Sequence, residues 1–225
     1  MSTSTPTRTG TASRAWHACL AVLVGAALVV QVVLLVRAGT DVNPGAASAD
    51  AGTGTALVRL FSYFTIQSNV LVLAAAASLT LRPDRDGPAW RVLRLDALLG
   101  ITITGVVYAT VLGPGLQHSG VDWWVNAAVH YVSPVASVLG WLLFGPRPRL
   151  DRRTLVLAFA WPLAWVAWTF AHGAATGWYP YPFLDASAIG VPAALAGTGA
   201  VLVAGVVLAG VLRLLDTRLP RSPGR

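Results

Sequence analysis

The sequence predicts an all-α polytopic membrane protein with six transmembrane helices, and three observations predict it. Only 11% of the 225 residues are charged while 55% are hydrophobic, where a soluble domain carries about 25% charge. Six apolar stretches approach or exceed the roughly 20 residues that cross a bilayer. All basic residues except Arg37 and Arg59 fall at the ends of these stretches that an alternating path places on one side.

The first stretch, residues 15–36, follows Arg14 and is rich in Ala, Leu and Val. Its apolar run exceeds the about 7 to 15 residues of a signal peptide, so it reads as a retained helix rather than a cleaved leader, although the small residues at 46–49 resemble a cleavage region. The second, 57–81, carries Ser62, Thr65, Gln67, Ser68 and Asn69 within its apolar run. The third, 92–112, ends at Gly113-Pro114; the fourth, 123–144, runs from Trp123-Trp124 to Gly145-Pro146. Residues 155–175 lie between Arg152-Arg153 and Gly177, and 186–212 between Asp185 and Arg213. Gly and Pro inside such stretches are tolerated better in membranes than in soluble helices. Residues 1–14 read as a disordered tail, 15–215 as one transmembrane domain, and 216–225 as a basic tail.

Basic loops stay cytoplasmic, so both termini are expected in the cytoplasm and the protein in the inner (plasma) membrane. The net charge of +7 then reflects topology, and nucleic-acid binding is not expected. Every base is Arg and every acid Asp. The single cysteine, Cys19, excludes an internal disulfide and a cysteine metal cluster. Neither metal nor cofactor is expected, and the oligomeric state is not encoded in any pattern we recognise. Asp96 is the one carboxylate expected inside a span, where Arg91, Arg94 or Arg152 would anchor it.

Hydrocarbon offers polar groups no water, so those inside the spans need partners or purposes. Ser62, Thr65, Ser68 and Asn69 share a helical face, as do Asn126, His130, Ser133 and Ser137 on the fourth span and Trp161, Trp165, Trp168 and His172 on the fifth. Measured from the outer boundary at 1.5 Å per residue, Thr65 lies roughly 12 Å deep and His130 roughly 10 Å. The two are nearly level. Serine hydroxyls in this setting are ordinary glue between helices, whereas an intramembrane histidine is a functional candidate by default. Trp123, Trp124, Trp178, Tyr179 and Tyr181 fall at the outer interface, where aromatic belts form. Gln67 points off the polar face and has no evident role.

A threonine hydroxyl becomes nucleophilic when a base removes its proton, and neutral imidazole suits that task near pH 7. Thr65 and His130 form such a candidate pair. Asn69 and Asn126 are candidate oxyanion donors, His172 is a further site candidate, and Trp165 and Trp168 are candidate walls of an apolar substrate cavity. The chemistry is acyl transfer or hydrolysis of a hydrophobic ester drawn from membrane lipids.

The segments Phe64-Thr65-Ile66-Gln67-Ser68-Asn69, His130 with Pro134 and Trp141-Leu142-Leu143-Phe144, and Tyr179-Pro180-Tyr181-Pro182-Phe183-Leu184-Asp185 together resemble the bacterial Pr6Pr family of six-span membrane proteins. That family is distantly similar to the androgen-induced gene 1 and androgen-dependent TFPI-regulating proteins, hydrolases of fatty acid esters of hydroxy fatty acids. The resemblance implies a membrane threonine nucleophile and a catalytic histidine, and by order and span these match Thr65 and His130. Gln67-Ser68-Asn69 departs from the eukaryotic pattern.

Two other classes remain open. A non-catalytic lipid-binding or scaffold protein also needs polar stripes, and a small transporter needs a polar cavity, though there is no inverted repeat or central acid. A rhomboid-type Gly-x-Ser-Gly nucleophile is missing, and the absence of Glu excludes proteases built on a Glu-Glu motif.

Overall fold

Backbone amides buried in hydrocarbon must be satisfied within their own segment, and helix does this throughout the chain. The computed structural model describes residues 8–39, 41, 43 and 52–220, and it has no strand among them. Six helical segments are long and apolar enough to cross a membrane: Gly10–Ala38, Phe64–Leu81, Pro88–Leu112, Gly120–Phe144, Arg152–Thr176 and Val191–Arg218.

Helix α1 is Arg8–Ala38. Residues 8–14 of the expected disordered tail are therefore helical, while 1–7 and 221–225 lie outside the described residues. Cys19 faces outward on α1 as a free thiol. The second stretch is not one helix. It divides at Tyr63 (φ −68°, ψ 130°) into α2, Thr53–Ser62, and α3, Phe64–Leu81.

The third span is α4, Pro88–Val107, widened into a π-helical turn at Tyr108–Leu112. The fourth joins α5, Gly120–Ala127, a second π turn at Ala128–Val132, and α6, Ser133–Phe144. Proline explains the second π turn: Pro134 has no N–H for the His130 carbonyl and its ring crowds that oxygen, so the Ser133 amide reaches back to Ala128 instead. The same argument breaks the fifth span. Pro162 cannot accommodate a helical Ala158 carbonyl, and α7, Arg152–Leu157, is separated from α8, Ala160–Thr176.

Beyond α8 the chain makes a loop from Gly177 (φ 71°) to Gly190 (φ 83°) that holds a short 3₁₀ turn, Pro182–Leu184, and α9, Ala186–Ile189. The last helix, α10, is Val191–Arg218, so the sixth span starts later than residue 186 and continues through the first residues of the expected basic tail.

Helices α1, α3, α4 and α6 close a ring, α1 packing on α3 and α6, and α4 on α3 and α6. Close approach requires Gly105 on α4, where a Cβ would lie 2.8 Å from Pro134 and 3.5 Å from the His130 carbonyl. Helix α10 joins through α4, and α8 reaches the ring through its indoles. Large apolar side chains such as Val22, Val58, Val156 and Val203 face outward, as lipid contact requires.

At the end of the bundle nearest α7, Asp86 accepts from Arg91 Nε at 2.7 Å and Nη2 at 2.9 Å, and Arg149 Nε lies 3.2 Å away. Buried Asp216 on α10 accepts from the Arg149 and Leu150 amides at 2.7 and 2.8 Å, locking the loop before α7. The Arg91 hydrogen bond holds the Asp86 carboxyl down at about 2. Asp96 does not join this network: among the described residues no ion pair reaches it, and its Oδ1 is buried without a hydrogen bond. Arg91 is taken by Asp86 and Asp151 instead.

Candidate functional site

The break at Tyr63 makes Phe64 and Thr65 the first residues of a helix. Amides of a first turn have no intrahelical acceptor, and that end of α3 carries partial positive charge. The Thr65 N–H donates to the Tyr181 hydroxyl at 3.2 Å, and the Phe64 amide also bears on that oxygen. The Tyr181 oxygen lies 3.2 Å from Thr65 Oγ1 as well. Either hydroxyl can donate across that contact.

Breaking a helix orphans carbonyls as well as amides, and side chains cap them. Gln67 Nε2 donates to the Phe61 carbonyl at 2.9 Å, and Trp165 Nε1 to the Ser62 carbonyl at 2.8 Å. Trp168 Nε1 donates to Ser62 Oγ at 2.9 Å, and that hydroxyl in turn donates to the Val58 carbonyl at 2.7 Å. Trp161 Nε1 donates to Gln67 Oε1 at 2.8 Å. Gln67 thus acquires a role that its position off the polar face did not disclose. It staples both ends of the break and ties them to α8.

Asn69 sits one turn into α3 with both amide hydrogens committed, to the Thr65 carbonyl at 2.9 Å and the Val129 carbonyl at 3.2 Å. The second bond draws the π turn of the fourth span, and His130 with it, against α3 one turn from Thr65. His130 is 1% exposed. Its ring stacks on Tyr108, centroids 3.7 Å apart and 17° from parallel, so the two π turns meet through these two rings. The Tyr108 hydroxyl lies 3.1 Å from His118 Nε2, and the Asn126 side chain faces that hydroxyl too. Neither nitrogen of His130 has a well-formed hydrogen bond among the described residues, although the Asn126 carbonyl one turn earlier bears on the ring.

An apolar cavity, partly open to the outside, runs between α4, α8 and α10. Thr65 and Tyr181 lie on its wall with Thr104 and Thr198, and Phe64, Trp165, Phe183 and Leu184 are among its apolar lining. His130 is not part of that lining. Ser68 lies against Gly100, so Thr65, three residues toward the start of α3, is level with about Ile103 and Thr104. That is part way along the wall that the third span supplies from Leu99 to Leu112. Leu99, Phe159 and Gly205 are the lining residues nearest α7.

His172 stands apart from this centre. It is half-buried near the end of α8, stacked on Trp168 at 5.4 Å and edge-on to Trp178 at 5.7 Å, with Thr176 beside it. Trp123 and Trp124 are exposed, as expected for an interfacial belt, but Trp178, Tyr179 and Tyr181 are buried. They belong to the loop that folds inward over the bundle, and Tyr179 lies so close on Gly173 that a Cβ there would clash. The sequence signal was Pro180 and Pro182 flanking Tyr181: two prolines hold the segment out of a helix and turn it onto the protein. Tyr108 offered no comparable signal, because only the π turn swings it onto His130. Among the described residues no group of three His, Cys, Asp or Glu side chains is gathered as metal ligands would be.

Residues 106–213, from the end of the third span into the sixth, match the family model described as FAR-17a/AIG1-like protein. The chain is similar to that family over just under half of its length, a portion that holds His130, Trp165 and Tyr181 but ends short of Thr65. No curated protein and no solved structure matches the chain.

Proposed function

We propose that this membrane protein hydrolyses hydrophobic, fatty acyl-type esters, with Thr65 as nucleophile and His130 as base. One observation carries the reading: the Thr65 hydroxyl stands at a helix N-terminus on the wall of an apolar cavity that has few other polar groups. An acyl chain fills such a space, and its ester carbonyl comes to rest at the polar point. The similarity to the FAR-17a/AIG1-like family supports the assignment for the part of the chain it covers.

In this mechanism Thr65 Oγ1 attacks the acyl carbon while its proton passes to His130, directly or through one water beside Asn69. The positive end of α3 favours the negative charge that develops. Collapse of the tetrahedral intermediate expels the alcohol, which takes the proton from His130. Water then cleaves the acyl-threonine by the same route. A dry cavity strengthens each of these electrostatic interactions.

The absence of His130 from the cavity wall favours a second reading, in which the cavity holds a lipid without cleaving it. Labelling of the purified protein with a fluorophosphonate separates the two. Hydrolysis requires a covalent adduct that Thr65→Ala abolishes and His130→Ala reduces by two to three orders of magnitude, since acid–base catalysis contributes about 10²–10⁴-fold. Labelling indifferent to both substitutions leaves lipid binding as the function.

A further inference from the structure

We infer that Tyr181 is a third catalytic residue, the side-chain donor of an oxyanion site completed by the backbone amide of Thr65. This inference rests on the hydrolase reading. The argument begins from geometry: a reacting oxygen belongs about 3 Å from both the nucleophile and the oxyanion donors. The Tyr181 hydroxyl oxygen is 3.2 Å from Thr65 Oγ1 and 3.2 Å from the Thr65 amide nitrogen. It occupies the place a substrate carbonyl oxygen must reach.

Neither asparagine supplies the donor at this point. Both amide hydrogens of Asn69 point to backbone carbonyls. Asn126 faces the Tyr108 hydroxyl and is not part of the cavity wall. Tyr181, by contrast, opens on the cavity and is held from three sides, stacked on Phe183 at 5.6 Å, edge-on to Tyr63 at 5.7 Å and tilted against Trp165 at 6.1 Å. Burial pushes its phenol up to about 12, so at neutral pH it holds its proton and acts as a donor.

The chemical step balances. Oγ1 of Thr65 bonds to the acyl carbon, the carbonyl π pair moves onto the oxygen, and the Thr65 proton goes to His130. The new oxyanion takes over the Thr65 N–H, and the Tyr181 hydroxyl, displaced sideways, turns its proton onto that oxygen without losing it. When the carbonyl re-forms, the pair returns and the alcohol leaves with the proton from His130.

The test compares wild type with Tyr181→Phe for ester turnover, for inhibition by an alkyl boronic acid that forms a tetrahedral adduct on Thr65, and for binding of the product fatty acid. The expected result is a fall of about 100- to 1,000-fold in kcat, the range for removing one oxyanion donor. Boronate affinity falls with it while KM and fatty acid affinity hold. Unchanged kcat in Tyr181→Phe overturns the inference, and so does a gain, which would make the tyrosine a plug. Parallel loss of fatty acid and boronate affinity overturns it as well, since that is the signature of a structural role. If Tyr181→Phe does not fold, 3-fluorotyrosine at 181 keeps the hydroxyl and strengthens it as a donor, so boronate affinity must rise; no rise refutes the assignment. A wild type without Thr65-dependent turnover defeats the hydrolase reading itself, an outcome distinct from an active wild type that tolerates Tyr181→Phe.

Discussion

Gly205→Leu tests whether the apolar cavity is an acyl site, independently of any catalysis. A Cβ built on Gly205 lies 3.5 Å from Ile103 Cδ1 and 3.7 Å from Phe159 Cε1, ordinary contact distances, so the backbone need not move. Gly205 lines the cavity beside Leu99 and Phe159, so the remaining three carbons of leucine should take up space there. A bound chain reaching Gly205 must withdraw by about as many methylenes as leucine adds carbons. At about 0.8 kcal/mol per buried CH₂, four methylenes amount to roughly 3 kcal/mol, or about a hundredfold in affinity. The assay is displacement of a fluorescent fatty acid by unlabelled acids of increasing length, in detergent micelles. Chains too short to reach Gly205 should bind wild type and variant alike, and the loss should set in at one length and then level off. A uniform loss at every length, or none at the longest, would refute the placement of the chain.

Two further outcomes follow from the packing. Trp165→Phe leaves the Ser62 carbonyl, already orphaned by the break, without its donor, at a cost of about 1–3 kcal/mol. Trp168→Phe leaves a hydroxyl that still bonds to the Val58 carbonyl and should cost nearer 0.6 kcal/mol; thermal unfolding that reverses this order would sink the capping argument. Asp86 is held down at about 2, chiefly by its hydrogen bond to Arg91. A carboxylate with a depressed folded pKa contributes stability that is complete above the ordinary value near 4 and disappears as pH falls through about 2. Arg91→Gln should therefore lower stability at pH 7 and flatten the acid limb between about pH 4 and 2. Because the pair is partly exposed and screened by solvent, the difference should not exceed about 1 kcal/mol; an acid limb unchanged in the variant would remove Asp86 from the account.

The six spans were legible in the sequence because hydropathy and length act over some 20 residues and survive local irregularity. The polar stripes were legible too: Thr65, Asn69, Asn126, His130, Ser133 and Ser137 are all buried inside the bundle. What periodicity could not disclose were the places where it fails. The division at Tyr63 has no proline or glycine to announce it and depends on caps from α8, a hundred residues away in sequence. Counting 1.5 Å per residue through the second span therefore passed over a discontinuity just above Thr65. The π turn at Ala128–Val132 was more accessible, since Pro134 stands four residues after His130. Tyr181 was assigned to the belt because aromatic residues in a loop beside a span ordinarily lie there; only its burial among Tyr63, Trp165 and Phe183 distinguishes it.

Hydrocarbon also explains why the candidate site gathers at helix irregularities. Every amide in a continuous transmembrane helix is spent on the carbonyl four residues earlier, so no backbone donor is left for a substrate. Free donors within the bilayer exist only where a helix begins, and the chain begins one directly before Thr65. The cost is a set of carbonyls at the end of α2, each of which would destabilise the protein if left bare. Trp165 and Gln67 remove that cost at the Ser62 and Phe61 carbonyls, and Trp161 holds Gln67 in place. The indoles of α8 therefore serve the site twice, by lining its cavity at Trp165 and by making the break upstream of Thr65 stable enough to persist.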